Sequence, residues 1–158
     1  MKGDPGIIDL LNQLLAVELT AVHQYLLHAR MCENWGYERL FKKIHGEWHE
    51  EAEHADHLVQ RILFLEGTPD LSRMHPITPG ASVEEQFRAD LGIESGAVGA
   101  LNKGIALCQR TGDNGTAELL EQILKDTEEH AHWLEKQLTV IQQVGAARYL
   151  AEQLNAPS

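Results

Sequence analysis

The placement of proline divides this chain into two long segments that contain none. The five prolines are Pro5, Pro69, Pro76, Pro79 and Pro157. Because proline removes a backbone donor and clashes inside a helix, long proline-free segments with helical periodicity favour α-helices. The apolar residues that follow Pro5 recur at intervals of three and four, as on one face of a helix. No segment alternates with a period of two, so we expect no β-sheet.

Capping and turn residues predict where the helices begin and end. Asp4 before Pro5 is a helix start, Gly67 is a C-terminal cap, and Ser82 with Glu85 forms a capping box. The predicted segments are a helix from Pro5 to a break at 34–36, a helix over about 37–66, a loop over 67–81, a helix from Ser82 to a turn at 112–115, a helix over about 116–144 ended by Gly145, and a short helix over roughly 146–154.

Four long helices, two short turns and one long central loop predict an all-α fold. The arrangement is a four-helix bundle with one long crossover and a short fifth C-terminal helix, built as a single domain over 1–158. The third helix carries four glycines, each of which lowers helix stability. We attribute them to close helix packing. They are Gly92, Gly96, Gly99 and Gly104.

Charge and cysteine content exclude several classes of function. The chain has 13 Lys and Arg against 24 Asp and Glu, a net charge of −11, which disfavours binding to nucleic acid. Its apolar runs are short and its N-terminus lacks an apolar leader, so we expect neither a membrane span nor export. Cys32 and Cys108 form no CxxC pair, which favours reduced thiols and a cytoplasmic protein.

The most informative motif is an ExxH pair whose partners recur later in the chain. Glu51 and His54 lie on one helical face, where a carboxylate and an imidazole can bind one metal ion. His130 follows His54 by 76 positions, and Glu94 follows Glu18 by the same interval. Bundle di-iron proteins draw a Glu-x-x-His pair from each of two helices and one Glu from each of the other two. The spacing therefore predicts a di-iron site in the bundle core.

One position breaks this repeat, because the counterpart of Glu51 is Thr127. A hydroxyl is a weak iron ligand and leaves the site one negative charge short. We therefore expect an asymmetric site, occupied beside His54 and poorly occupied beside His130. Asp126 is expected to flank His130 on the side away from residue 127.

Two other interpretations of these residues remain open at this stage. Glu18 and Glu94 can instead be buried, paired carboxylates or face water, although such a set without a cation is costly. Glu129 with His132 forms a second ExxH pair, but it is rotated by about 200° from the face that carries His130. If His130 points inward, His132 lies on the surface.

The chain resembles bacterioferritins from end to end. The similar stretches are the opening Met1–Pro5, Leu14-Leu15-x-x-Glu18-Leu19, Gln24–Arg30, Asn34-Trp35-Gly36, Glu51-x-x-His54-Ala55-Asp56, Arg61–Gly67 and Trp133-Leu134-Glu135. The resemblance implies a ferritin-like bundle and a homo-oligomeric hollow cage of about 24 subunits that stores ferric mineral. It also implies ferroxidase activity, with iron held by Glu18, Glu51, His54, Glu94 and His130. Tyr25 resembles a family tyrosine that helps to supply electrons, although a core tyrosine fits the position equally well.

Three departures from the family pattern bear on cofactors. The family's haem takes a methionine from each of two subunits, and the matching residue here is Ala52, so we expect no stoichiometric haem in the homopolymer. Thr127 stands in place of the family's bridging glutamate, so we expect slow oxidation of Fe(II). On the inner surface of the cage, the family has a histidine with an acidic residue near it. Gly46 stands in place of that histidine, whereas Glu50 matches the acidic residue.

The sequence leaves three functions in competition. The first is an iron-storing ferroxidase, for which the resemblance adds a small ferredoxin as the partner for iron release. A second is a catalytically weak structural subunit that co-assembles with a competent bacterioferritin chain, an idea that Thr127 and Ala52 favour. A third is a monomeric or dimeric di-iron redox enzyme, which the short chain and the two cysteines disfavour.

Overall fold

Five α-helices form the secondary structure of residues 1–155, the part of the chain that the computed structural model describes. They are α1 (Pro5–Asn34), α2 (Glu38–Phe64), α3 (Val83–Thr111), α4 (Asn114–Val144) and α5 (Ala146–Ala151). No strand occurs within these residues. The all-α bundle with a long crossover between α2 and α3 is confirmed. Pro157 and the rest of 156–158 lie outside the described residues.

The first and third helices begin where their capping residues predict. The Asp4 carboxylate accepts hydrogen bonds from the backbone N–H groups of Gly6, at 2.7 Å, and Ile7, at 3.3 Å. Ser82 accepts from the backbone N–H of Glu85 at 3.2 Å. The reciprocal bond of the predicted capping box is displaced by one residue, because the Glu85 carboxylate accepts from the N–H of Ala81.

Three other helix ends differ from the predicted ones. Helix α4 begins at Asn114 rather than 116, because Asp113 caps it through the backbone N–H of Thr116. Helix α5 is shorter than expected and ends at Ala151. At the end of α2 the left-handed residue is Glu66, with φ of 64°, and not Gly67. Gly67 is required for another reason, since a Cβ there would lie 2.7 Å from the Ile8 side chain.

The helices pack as two antiparallel hairpins, α1 with α2 and α3 with α4, and α1 also packs against α3. Two apolar clusters fill the core, one toward each end of the bundle. Leu11, Leu58 and Leu101 belong to the first cluster, whereas Phe87 and Leu134 belong to the second. Between them lies a layer of buried polar side chains, which is where the predicted metal ligands occur.

The crossover is seated on α1 by three polar side chains that are spaced four residues apart. Thr20, Gln24 and His28 accept hydrogen bonds from three backbone N–H groups along the crossover. The donors are His75 at 2.9 Å, Thr78 at 3.2 Å and Gly80 at 3.1 Å. Because residues four apart lie on one helical face, this row fixes the path of the crossover along the bundle.

By length and composition alone, α1 could cross a membrane. Its most apolar 18-residue window has a mean hydropathy of 1.3. The sequence did not suggest this, because each uninterrupted run of apolar residues is short. Of that window, 44% is buried inside the bundle, where α1 packs against α2 and α3. Packing in the protein core therefore accounts for the apolar character of this helix.

Close packing explains only one of the four α3 glycines. A Cβ on Gly104 would lie 2.8 Å from Leu10 and 3.0 Å from Leu120. For Gly92, Gly96 and Gly99 the same construction meets no atom within 4 Å, so the packing hypothesis is wrong for these three. Nothing in the described chain accounts for them.

Candidate metal centre

The polar layer contains two clusters of potential metal ligands that share one residue. Glu18, Glu51 and His54 form the first cluster, and Glu51, Glu94 and His130 form the second. Within each cluster one donor atom per residue lies within 4.8 Å of the others, and every member is buried. The structure thus brings together all five residues that the sequence proposed as ligands, with Glu51 positioned between the two sets.

Each of the four long helices contributes to this layer at the same height. Glu18 comes from α1, Glu94 from α3 and His130 from α4, whereas α2 supplies both Glu51 and His54. The interval of 76 residues places equivalent side chains of the two hairpins opposite one another. Their burial follows from facing the bundle axis between the two apolar clusters.

In the first cluster, the His54 ring lies between buried carboxylates and a more exposed one. Its Nδ1 is 3.4 Å from Glu51 Oε2 and 3.7 Å from Glu18 Oε2. Its Nε2 is 2.9 Å from the carboxylate of Asp126. Asp126 therefore contacts His54 on α2, a partner that the sequence did not predict. This aspartate orients the imidazole so that Nδ1 faces the buried carboxylates.

In the second cluster, three groups converge on His130 and Glu94. His130 Nδ1 is 3.1 Å from Glu94 Oε1 and 3.6 Å from Glu47 Oε2. The Tyr25 hydroxyl donates to the same Glu94 oxygen. The rings of Tyr25 and His130 are nearly perpendicular, with centroids 5.3 Å apart. Tyr25 is fully buried and so lies within direct contact distance of the second cluster.

Burial of so many acids in one layer shifts their protonation. Burial, followed by the charge of Glu18, raises the pKa of Glu51 to about 8. Burial also raises the pKa of Glu94 to about 7. For His54, burial alone would lower the pKa, but hydrogen bonds to Glu18 and Glu51 raise it to about 11. Protons thus stabilise the crowded carboxylates, and a dication can take over that role.

The donor set suits iron. Carboxylates and imidazoles are ligands for iron, and buried acids of this number favour a multivalent cation over isolated charges. Glu51 can contact ions in both clusters because its carboxylate has two oxygens. These observations favour a two-ion site over the alternative of buried, paired carboxylates.

Thr127 contributes no carboxylate to these clusters. It is buried, and its hydroxyl donates to the backbone carbonyl of Ile123 at 2.8 Å, one turn earlier in its own helix. The second ExxH pair lies outside the layer, as expected. Glu129 is exposed, and the His132 side chain is 68% exposed and lies near Glu135.

Sequence reasoning missed Glu47 as a member of the layer. Glu47 precedes Glu51 by four residues, a spacing that places both on one helical face, and it is only 7% exposed. Glu50, for which the family resemblance implies a place on the inner surface, forms a third group with His54 and Asp126. That group is more accessible, since Glu50 and Asp126 are half-buried.

The residues of this chain do not fit a haem held through residue 52. Ala52 is half-buried and carries no atom that could bind iron. Met31 contacts the side chain of Gln86 instead, and Met74 is exposed on the crossover. Neither methionine is on α2.

Comparison with known proteins places the chain in a family. A Ferritin-like domain model matches residues 8–144. A bacterial ferritin of Pseudomonas aeruginosa is 48% identical over 98% of this chain and 100% of its own length. A bacterial ferritin of Synechocystis is 44% identical over 98% and 100%, and a bacterioferritin of Mycobacterium leprae is 41% identical over 99% of each chain. The chain belongs to the bacterioferritin family. In this bacterioferritin-family bundle, Thr127 brings no carboxylate to the ligand layer, whereas the buried acid Glu47 lies beside His130.

Proposed function

We propose that this chain stores iron by oxidising Fe(II) with dioxygen at the buried site and depositing ferric mineral inside a protein cage. The observation that carries the proposal is the pair of buried ligand clusters joined by Glu51. Family membership supports iron as the substrate and a homo-oligomer of about 24 subunits in the cytoplasm as the assembly.

Each ligand has a distinct role in this reaction. Glu18 and His54 hold one Fe(II), Glu94 and His130 hold the other, and Glu51 lies between them. Each Fe(II) gives one electron to dioxygen, which takes two protons and leaves as hydrogen peroxide while both ions become Fe(III). The Tyr25 hydroxyl orients Glu94, and Tyr25 lies close enough to the second position to supply a further electron.

Oxygen uptake by the purified homopolymer tests this function. Adding Fe(II) to the metal-free protein is expected to consume oxygen and produce a mineral core, whereas Glu51→Gln abolishes the rapid phase. Glu53→Gln is the matched control, since Glu53 is an exposed acid on the same helix. Light scattering during the same preparation is expected to report a cage. Elution as one to four subunits would instead support the di-iron redox enzyme.

A second function, the structural subunit, is favoured by Thr127 and Ala52. Such a chain would assemble into cages but take up oxygen only after co-assembly with a ferroxidase-competent bacterioferritin. Slow uptake by the homopolymer that becomes rapid in mixed cages would select this function. A small ferredoxin is the proposed electron donor for iron release from either kind of cage.

A further inference from the structure

Glu47 and Thr127 each differ in chemical type from the residue 76 positions away in the other hairpin. The residue 76 positions after Glu51 is Thr127, so the second hairpin lacks an acid at this position. The residue 76 positions after Glu47 is Ile123, so the first hairpin has an acid here that the second hairpin lacks. With Glu47 counted, the layer again holds four carboxylates and two imidazoles. Four carboxylates balance the charge of two dications, as the bundle di-iron class requires.

The position of Glu47 supports this count. Its carboxylate is buried, and Oε2 lies 3.6 Å from Nδ1 of His130, the nitrogen that Glu94 approaches at 3.1 Å. Oε1 lies 2.7 Å from the ammonium group of Lys43, one turn earlier on α2. Buried acids usually need such a partner, and here one oxygen has it while the other faces His130.

Lys43 holds this carboxylate without enclosing it. The Lys43 side chain is 39% exposed, and its ammonium group lies 5.0 Å from the centre of the Trp133 ring. A lysine this exposed can turn toward water when a dication competes for Glu47. The ion pair thus holds the Glu47 carboxylate in place beside His130.

We propose that Glu47 is a ligand of the second iron and replaces the carboxylate that Thr127 lacks. The inference rests on the proposed function and assigns a substrate-binding role to a residue outside the expected set of five. Together with Glu94 and His130, Glu47 completes the second position from the α2 side. The weak second position expected from the sequence is thereby restored by a different helix.

Binding of Co(II) to the metal-free protein tests the role of Glu47 without relying on activity. We expect a titration, followed by visible absorption and by calorimetry, to show two Co(II) ions bound per chain at the buried site. Ions at this site are identified by their loss in Glu51→Gln. In Glu47→Gln, an isosteric change, the first ion should bind unchanged and the second more than tenfold more weakly. Glu53→Gln is the matched control and should retain both ions. Thr127→Glu in the Glu47→Gln background should restore tight binding of the second ion.

The outcomes separate the inference from the function on which it rests. Equal affinity for the second Co(II) in the wild type and Glu47→Gln would overturn the ligand role of Glu47. Failure of Thr127→Glu to restore binding, in a variant with unchanged helicity, would overturn the compensation. If Glu51→Gln binds Co(II) as the wild type does, the buried site itself is not a metal site, and the proposed function fails first.

Discussion

Asp126 and His54 form a hydrogen bond of 2.9 Å across the interface between α4 and α2. The bond engages Nε2 and leaves Nδ1 directed at the buried carboxylates of Glu18 and Glu51. A carboxylate behind a metal-binding imidazole fixes the ring orientation and increases its basicity. Asp126 is therefore a positioning residue for the first cluster, although it lies beside Thr127 in sequence.

Replacing Asp126 should weaken the first metal position selectively. We expect Asp126→Ala to lower the affinity of that position for Co(II) by about 10- to 100-fold, because the imidazole loses its orienting partner. The second position should change little, since its imidazole belongs to His130. Asp56→Asn, an exposed change on α2, serves as the control in the same titration. Unchanged affinity in Asp126→Ala would show that packing alone orients His54.

Two substitutions at Thr127 separate the effect of a carboxylate from that of the hydroxyl. Thr127→Glu in the Glu47→Gln background returns a fourth carboxylate to the layer, so we expect higher occupancy of the second position and faster oxidation of Fe(II) than in Glu47→Gln alone, measured by stopped-flow absorption. Thr127→Val should leave metal binding unchanged, because the Thr127 hydroxyl donates to the Ile123 carbonyl and not toward the clusters. A marked loss of metal binding in Thr127→Val would contradict this account of the hydroxyl.

Gly80 should be intolerant of any side chain. A Cβ there would overlap the backbone N of Gln86 and lie 2.6 Å from the carbonyl carbon of Glu85. Because backbone atoms of α3 cannot move aside cheaply, we expect Gly80→Ala to destabilise the fold by about 1–3 kcal/mol. Gly96→Ala meets no atom of this chain within 4 Å and should be neutral or stabilising by up to about 1 kcal/mol. Denaturation of both variants, checked for equal assembly, measures the difference.

Asp113, in the turn between α3 and α4, should make the free energy of unfolding decrease at acid pH. Burial alone would raise the pKa of Asp113, but hydrogen bonds from Thr116 and the charge of Arg61 lower it below its ordinary value. The pKa of Asp113 is therefore lower in the folded protein than in the unfolded chain. Its stabilising effect is fully present above the pKa of the unfolded chain and is lost as the pH falls through the pKa of the folded protein. The Arg61 guanidinium lies 3.1 Å from the Asp113 carboxylate.

Asp113→Asn keeps a helix cap but removes the charge. It should lower stability by about 0.5–1 kcal/mol at neutral pH, and the difference from the wild type should shrink below about pH 4. Thermal unfolding at a series of pH values measures it, with Asp56→Asn as the control. A difference that stays constant down to acid pH would mean that the ion pair with Arg61 contributes nothing.

The helices and most of the ligand layer could be predicted because their signals are local. Asp4 and Ser82 cap the helices that they precede, and the ExxH spacing places Glu51 and His54 on one face regardless of the neighbours. The errors at Gly67 and at the start of α4 concern one or two residues at helix ends, where the boundaries of a helix are least well determined by local signals.

The sequence by itself determined the all-α fold, the pairing of helices into two matching hairpins and the five residues that form the shared clusters. Only the tertiary structure decided which additional acids join them. Asp126 contacts His54, and Glu47 contacts His130, through pairs that are distant in sequence and lie on different helices. Such contacts depend on the rotation and offset of α2 against α4, which arise from the packing of both apolar clusters together and not from any local pattern.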